Sequence, residues 1–248
     1  MDNYFISPWE DVFYIHWKDC GPDGNASIMA LFNYLQESAW NHANHLGLGY
    51  TSLTNTKQAW VLLRFRIEMD HYPNWQNRIR MITWPRKLSG PYAFREFRIM
   101  DSKNKQLGTA TSTWIIINTE SRRPVKPKVG KAYEDILDNT MATSKDAEKI
   151  EFPGEHDQAI IHEVSYSELD MNGHVNSTNY LQWTYDMIPH KTLINKQLKN
   201  CTINFLGEGK MAEEILILMK AESKEQYLFC GNDNKAGRNI FCTRLIYA

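Results

Sequence analysis

Between Trp60 and Asp70 hydrophobic and polar positions alternate, with Val61, Leu63, Phe65, Ile67 and Met69 interleaved with Leu62, Arg64, Arg66, Glu68 and Asp70. A period of two predicts a strand with one face in a core and the other toward water. Upstream the period lengthens. Ile28, Leu31, Phe32, Leu35 and Ala39 recur at helical spacing and share one face of a long helix, with Asn25 as N-cap and Gly47 and Gly49 as stop signals. Further strands are expected at 78–84, 92–100 and 109–118, the last two joined by the turn-forming run Ser102-Lys103-Asn104-Lys105.

The second half repeats this succession. A helix carrying Tyr180, Leu181, Thr184 and Ile188 is ended by Pro189, and strands follow at 215–221, 226–231 and 239–247, with Asn232-Asp233-Asn234-Lys235 as a turn. Asn33-Tyr34-Leu35-Gln36 returns 146 positions later as Asn179-Tyr180-Leu181-Gln182, and Ile15-His16 returns at the same offset as Ile161-His162. Downstream, 67–79 matches 203–215 at an offset of 136. A long helix with an antiparallel sheet, twice over, predicts an α+β architecture. The expected domains are 1–128 and 156–248, joined by a connection at 129–155 that is rich in Lys, Asp, Pro and small residues and holds one short helix near 133–137.

Composition agrees with that plan. With 248 residues, 42% hydrophobic and 23% charged, the chain has enough apolar material for a sizeable core, and its 8 Trp, 12 Tyr and 10 Phe favour sheet. A formal net charge of -1 supplies no field for nucleic acid or an anionic membrane. No stretch approaches the roughly 20 apolar residues of a membrane span. Cys20, Cys201, Cys230 and Cys242 form no C-x-x-C pair, so neither a zinc site nor a disulfide framework is expected, and reduced thiols in a cytoplasmic setting fit. The start, Met1-Asp2-Asn3-Tyr4-Phe5-Ile6, has neither a basic region nor a long apolar run, so no targeting segment is expected.

The stretch richest in chemistry is Leu169-Asp170-Met171-Asn172-Gly173-His174-Val175-Asn176, directly before the second helix. On an extended segment alternate side chains point the same way, so Asp170, Asn172 and His174 are expected to converge. The helix start adds unpaired N–H groups and the positive end of a dipole. An acid–base group, an orienting polar pair and an anion-stabilising terminus together read as a reaction site. The same spelling also suits a plain turn with a helix cap. His42 and His45 lie on one helix face, but no carboxylate completes a set, so a solvated helix end is expected there and no metal.

With Trp60-Val61, Tyr72-Pro73-Asn74-Trp75, Thr83-Trp84, Ser112-Thr113-Trp114 and Arg122-Arg123-Pro124 in the first half, the chain resembles the acyl-acyl carrier protein (acyl-ACP) thioesterases. In the second half the resemblance rests on 170–176, on Tyr180 with Trp183, and on Asn204-Phe205-Leu206-Gly207-Glu208. It implies two tandem hotdog domains, and hydrolysis of fatty acyl-ACP without metal or cofactor. Carried over by position, the catalytic residues are Asp170, Asn172, His174 and Glu208. Some members have a cysteine directly after the glutamate; here that position is Gly209, so covalent chemistry through it is not available.

Under this resemblance Glu208 is a general base for water, or attacks directly, and His174 polarises water or thioester and shuttles the proton. Asn172 orients water or imidazole, Asp170 holds the loop, and N–H groups near Val175 and Asn176 stabilise the oxyanion. At offsets 146 and 136 the first copy has Gly24, Ala26, Ile28 and Tyr72 at the four catalytic positions. It is therefore expected to supply scaffold and an acyl cavity, lined by its helix and the apolar face of 61–69. The partner implied is acyl carrier protein with a phosphopantetheine-linked acyl chain. The basic cluster Arg122, Arg123, Lys126, Lys128 and Lys131 suits such an acidic carrier and equally suits a solubilising segment. A homodimer stays open, as do three rival readings: a hotdog acyl-CoA thioesterase, a hotdog hydratase or dehydratase, and a non-catalytic acyl-thioester-binding protein.

Overall fold

Ser27, rather than Asn25, starts the first helix. Its hydroxyl accepts a hydrogen bond from the Ala30 N–H at 3.1 Å, and α1 (Ile28–His45) runs from there. The Asn25 side chain is committed elsewhere, donating to Asp23 and accepting from Asn74. Ile28, Leu31, Phe32, Leu35 and Ala39 are all buried, as their spacing predicts. The chain turns away where Gly47 adopts a φ of +70°.

The structure is a computed structural model that describes residues 6–127 and 129–248; 1–5, and with them most of the N-terminal segment considered above, and Lys128 lie outside the described residues. The chain divides into two compact units, Met1–Asp146 and Ala147–Ala248. In the first, β1 (Trp9–Tyr14), β2 (Gln58–Met69), β3 (Arg78–Ser89), β4 (Tyr92–Asp101) and β5 (Gln106–Asn118) pair antiparallel in the order β1-β3-β4-β5-β2. Two residues, β6 (Pro124–Val125), add to β5, and α2 (Tyr50–Thr54) and α3 (Lys131–Glu134) are short. The helix α1 packs against β1 and β3. Phe65 joins helix to sheet, with its ring 4.7 Å from Phe32 and 5.5 Å from Phe97 between centroids.

The second unit holds β7 (Gln158–Glu163), α4 (Ser177–Asp186), α5 (His190–Asn195), β8 (Leu198–Phe205), β9 (Glu214–Ala221), β10 (Gln226–Asp233) and β11 (Asn239–Tyr247). Its antiparallel order is β7-β9-β10-β11-β8, the first unit's order with each strand replaced by its counterpart. The two units therefore use one strand topology, each with its main helix between its first two strands in sequence. The α+β expectation holds.

The alternation of 61–69 breaks once. Leu62 pairs with Trp114 and Arg64 with Thr113, so Leu63 is an extra residue with no partner, a β-bulge that turns the strand over. Beyond it Phe65, Ile67 and Met69 are buried as expected; before it Leu62 is the buried one, and Val61 and Leu63 are only half-buried. The segment 129–155 is packed along much of its length. Tyr133 is buried, the Trp84 indole donates to the Thr140 carbonyl at 3.1 Å, and Arg86 pairs with Asp146. Further on, the Ile150 N–H donates to Asn204 at 2.7 Å in the second unit. The short helix lies at Lys131–Glu134, slightly before the expected 133–137.

The register between the copies is 149 around the helices, not 146. The bridge Cys20–Ala26 corresponds to Leu169–Val175, the cap Ser27 to Asn176, and the left-handed Gly24 to Gly173. Tyr34 donates to the carboxylate of Asp19, and Trp183 donates to the carboxylate of Glu168 at 2.8 Å. All these pairs are separated by 149. The 136 offset stands, because bridge Asn25–Asn74 corresponds to His174–Lys210.

Candidate active site

Asp170, Asn172 and His174 lie on a tight turn and not on an extended segment. The Gly173 N–H donates to the Asp170 carbonyl at 3.0 Å, and Gly173 has a φ of +75°, a conformation that glycine adopts without strain. The Asp170 N–H donates to the His174 carbonyl at 2.7 Å, closing the loop at its neck. Asp170 Oδ1 accepts from the backbone N–H of Asn172 at 2.8 Å and of His174 at 3.3 Å. The carboxylate thus ties two backbone N–H groups of its own loop together. Asn172 is exposed, and its side-chain amide reaches Asp170 Oδ2 at 3.5 Å. That contact of the amide is made within its own loop.

A second loop, 206–213, lies against the first. The Val175 N–H donates to the Gly209 carbonyl at 2.9 Å, and His174 forms a backbone bridge with Lys210. This pairing sets His174 Nε2 3.4 Å from Glu208 Oε2, with 27% and 34% of their side chains exposed. Both side chains are therefore partly open to solvent. Glu208 is held at its backbone: its carbonyl accepts from Arg238 Nη2 at 3.1 Å, and the next N–H, of Gly209, donates to the Tyr180 hydroxyl at 3.0 Å. Arg238 is anchored by Asp233 and Glu213. Burial, with the charge of Glu208 and Glu213 adding, pushes the Tyr180 phenol up to about 12, so it stays neutral. A Cβ at Gly209 would lie 3.0 Å from Val175 Cγ2 and 3.3 Å from the Tyr180 hydroxyl, so a cysteine would be crowded there.

The expected oxyanion donors need correcting. The Val175 N–H is used by Gly209, and the Asn176 N–H donates to the Glu168 carbonyl at 2.8 Å. Asn176 acts instead as the cap of α4, its Oδ1 accepting from the Thr178 N–H at 3.0 Å. Tyr180 and Arg238, which position Glu208, were given no role by sequence reasoning. Tyr180 had a signal, since it sits one turn into the helix that follows the loop. Arg238 had none, because only the turn after β10 brings it across.

At the corrected register, Gly21, Asp23, Asn25 and Tyr72 of the first unit stand where Asp170, Asn172, His174 and Glu208 stand in the second. The zipper itself is kept, with the Ala26 N–H donating to the Pro73 carbonyl at 2.8 Å as Val175 does to Gly209. What the first unit has instead is a cleft with about 500 Å³ of empty space, its open side included. Ala39, Trp40 and Ala43 of α1 and Leu46 just past its end line it, and β2 contributes only Trp60 and not the face of 61–69. His42 is no solvated helix end: it is wholly buried, and burial with the neighbouring Arg95 charge drives its imidazole down to about 3. Arg122, Arg123, Lys126 and Lys131 are exposed. Among the described residues no helix is long and apolar enough to cross a membrane.

Residues 8–133 match the family described as the acyl-ACP thioesterase N-terminal domain, and residues 154–242 match the acyl-ACP thioesterase C-terminal domain. The chain is 25% identical over 240 residues to a chloroplastic oleoyl-acyl carrier protein thioesterase of Coriandrum sativum, covering 88% of this chain and 63% of that protein. It is 27% identical over 236 residues to a chloroplastic dodecanoyl-[acyl-carrier-protein] hydrolase of Cinnamomum camphora, covering 88% and 61%. The chain thus spans about three fifths of the length of these curated relatives. Its fold is that of a solved acyl-ACP thioesterase from Bacteroides thetaiotaomicron, with a TM-score of 0.88 at 23% identity over 96% of this chain and 97% of that one. A 12:0-ACP thioesterase from Umbellularia californica gives a TM-score of 0.85 at 21% identity over 97% and 96%. With both domain families matched in order over most of its length and the tandem hotdog fold in place, the chain belongs to the acyl-ACP thioesterase family.

Proposed function

We propose that this protein hydrolyses the thioester of fatty acyl-acyl carrier protein, releasing a free fatty acid and ending chain elongation. The observation that carries the reading is the His174–Glu208 pair, 3.4 Å apart and partly open to solvent, on two loops locked by backbone hydrogen bonds. Glu208 takes a proton from water, whose oxygen adds to the thioester carbonyl; direct attack by the carboxylate is the alternative role. His174 polarises the water or the thioester and relays the proton. The carbon–sulfur bond then breaks, and the phosphopantetheine thiolate takes the proton as it leaves. A thiol is acidic enough that this last step needs little help.

Asp170 acts through the loop, and Asn172 acts through Asp170. In this reading the cleft of the first unit is the acyl-chain cavity, and the exposed cations Arg122, Arg123, Lys126 and Lys131 face the acidic carrier protein. The free thiols of all four cysteines favour the cytoplasm. The test is hydrolysis of acyl-ACP beside acyl-CoA of equal chain length. Acyl-ACP is expected to be the better substrate, and His174→Ala and Glu208→Gln are each expected to lower turnover by roughly 10²–10⁴. Near-normal turnover in either folded variant overturns the assignment.

A further inference from the structure

Arg95 is the charged residue in the wall of the first unit's cleft, among aromatic neighbours that include Trp40, Trp60, Trp114 and Tyr133. Its surface is 9% exposed. A guanidinium so deep normally sits against a carboxylate, because an unpaired buried charge is costly. Among the described residues none is paired with it. Its Nη1 donates to His42 Nδ1 at 3.0 Å and to Thr83 Oγ1 at 3.1 Å. Both acceptors are neutral, His42 because burial and Arg95 itself keep it unprotonated. The adjacent carboxylate, Glu96, is committed to Arg86, Thr111 and the Ala142 N–H. The phenol of Tyr133 is pushed up by burial, so it offers no negative charge.

The Nε and Nη2 edge of Arg95 therefore has no hydrogen-bond acceptor among the described residues, on a side chain that lines an apolar cleft. Two parallel N–H donors on one guanidinium edge match the two oxygens of a carboxylate. We propose that the cleft binds the anion of an aliphatic carboxylic acid, its chain among the cleft's tryptophans and its carboxylate on the free edge of Arg95. Such pockets, largely apolar with a few placed polar groups, suit a small amphiphile. Burial holds the Arg95 group down to about 10, which leaves it charged at neutral pH. The binding does not depend on His174 and Glu208. Its consequence does rest on the hydrolysis reading: a released fatty acid would occupy the cleft proposed for the next acyl chain and act as a product inhibitor.

Three tryptophans in the lining make binding directly readable by intrinsic fluorescence, with calorimetry as a second measure. Decanoate, methyl decanoate and decanol are titrated into the full chain, and into Arg95→Met and Ala43→Phe, with thermal melting to confirm folding. Decanoate should bind the wild type about ten- to a hundredfold tighter than its ester. Arg95→Met should abolish that difference while leaving ester binding in place, and Ala43→Phe should weaken both ligands by filling the cleft. Equal affinity of acid and ester for the wild type overturns the proposal, as does decanoate binding that survives Arg95→Met unchanged. Decanoate binding in a protein that fails to hydrolyse acyl-ACP would refute the hydrolysis reading alone. Hydrolysis without carboxylate preference would refute this site alone.

Discussion

The hydroxyl of Tyr180 accepts the backbone N–H of Gly209 at 3.0 Å, fixing the peptide that follows Glu208. Tyr180 is buried, and its ring lies 5.0 Å from Phe241 between centroids, so the acceptor is delivered from the core of the second unit. Replacing Tyr180 by Phe leaves a buried N–H without a partner, a loss of about 1–3 kcal/mol. The expected outcome is a lower kcat with little change in KM, since the Glu208 carboxylate loses its setting while substrate contacts remain. Steady-state kinetics beside a denaturant melt check this; an unchanged kcat in a destabilised protein would show the bond to be structural only.

Asp170 offers a separable effect. Its Oδ1 serves two backbone N–H groups, and an asparagine there keeps the acceptor while removing the charge. Asp170→Asn should retain most of kcat/KM, whereas Asp170→Ala should open the turn and lower it at least tenfold. Matching losses in both variants would instead assign the effect to the charge.

Gly209 sits where some family members carry a cysteine, yet a Cβ would come within 3.0 Å of Val175 Cγ2. Gly209→Cys should lower the melting temperature, and Val175→Ala should recover part of the loss in the double variant, a positive coupling between contacting residues. Hydrolysis by the wild type should resist iodoacetamide, because Cys201, Cys230 and Cys242 are buried and the half-buried Cys20 thiol is pushed up by burial and by the charges of Asp19 and Asp23, which keeps it out of the reactive thiolate form. Rapid inactivation would expose a thiol step.

Glu168 gives the second unit a pH dependence. Burial alone would push its carboxyl up, but hydrogen bonds from His162, the Ser165 N–H and Trp183 outweigh burial and hold it below its ordinary value of 4.5. The unfolded chain then binds this proton at a higher pH than the folded one. The stabilisation is complete above the ordinary value and is lost as pH falls through the folded one. The melting-temperature gap between wild type and Glu168→Gln should stay level from about pH 7 to about pH 5 and narrow on further acidification. A gap that widens with acid would reverse the sign and refute the pairing.

The chemistry of the site was written locally. Asp170, Gly173 and His174 dictate a turn whose own hydrogen bonds carry the geometry, and Gly207-Glu208-Gly209 was visible through the family resemblance. The repeat was visible too, but its register was not. A slip of three residues rotates a helix position by about 300°, close to one full turn, so a helical echo looks nearly the same one turn out of place. Loops have no such symmetry, and their bridges fix the offset at 149. The bulge at Leu63 was equally hidden, since nothing in an alternating string marks which residue the partner strand will skip. Nor could the spelling of Val175 and Asn176 reveal that their N–H groups already had acceptors on Gly209 and Glu168.

The strut from the main helix to the short 3-10 turn before it (Trp17–Asp19 in one half, Tyr166–Glu168 in the other) runs from Tyr34 to Asp19 and from Trp183 to Glu168, different side chains at matching addresses. A longer carboxylate compensates an indole that donates from another point on its ring. What duplication has kept here is a wiring diagram, and the parts at each terminal were free to change in pairs. Swapping a single terminal between halves should therefore disconnect the wire, while exchanging both together should restore it.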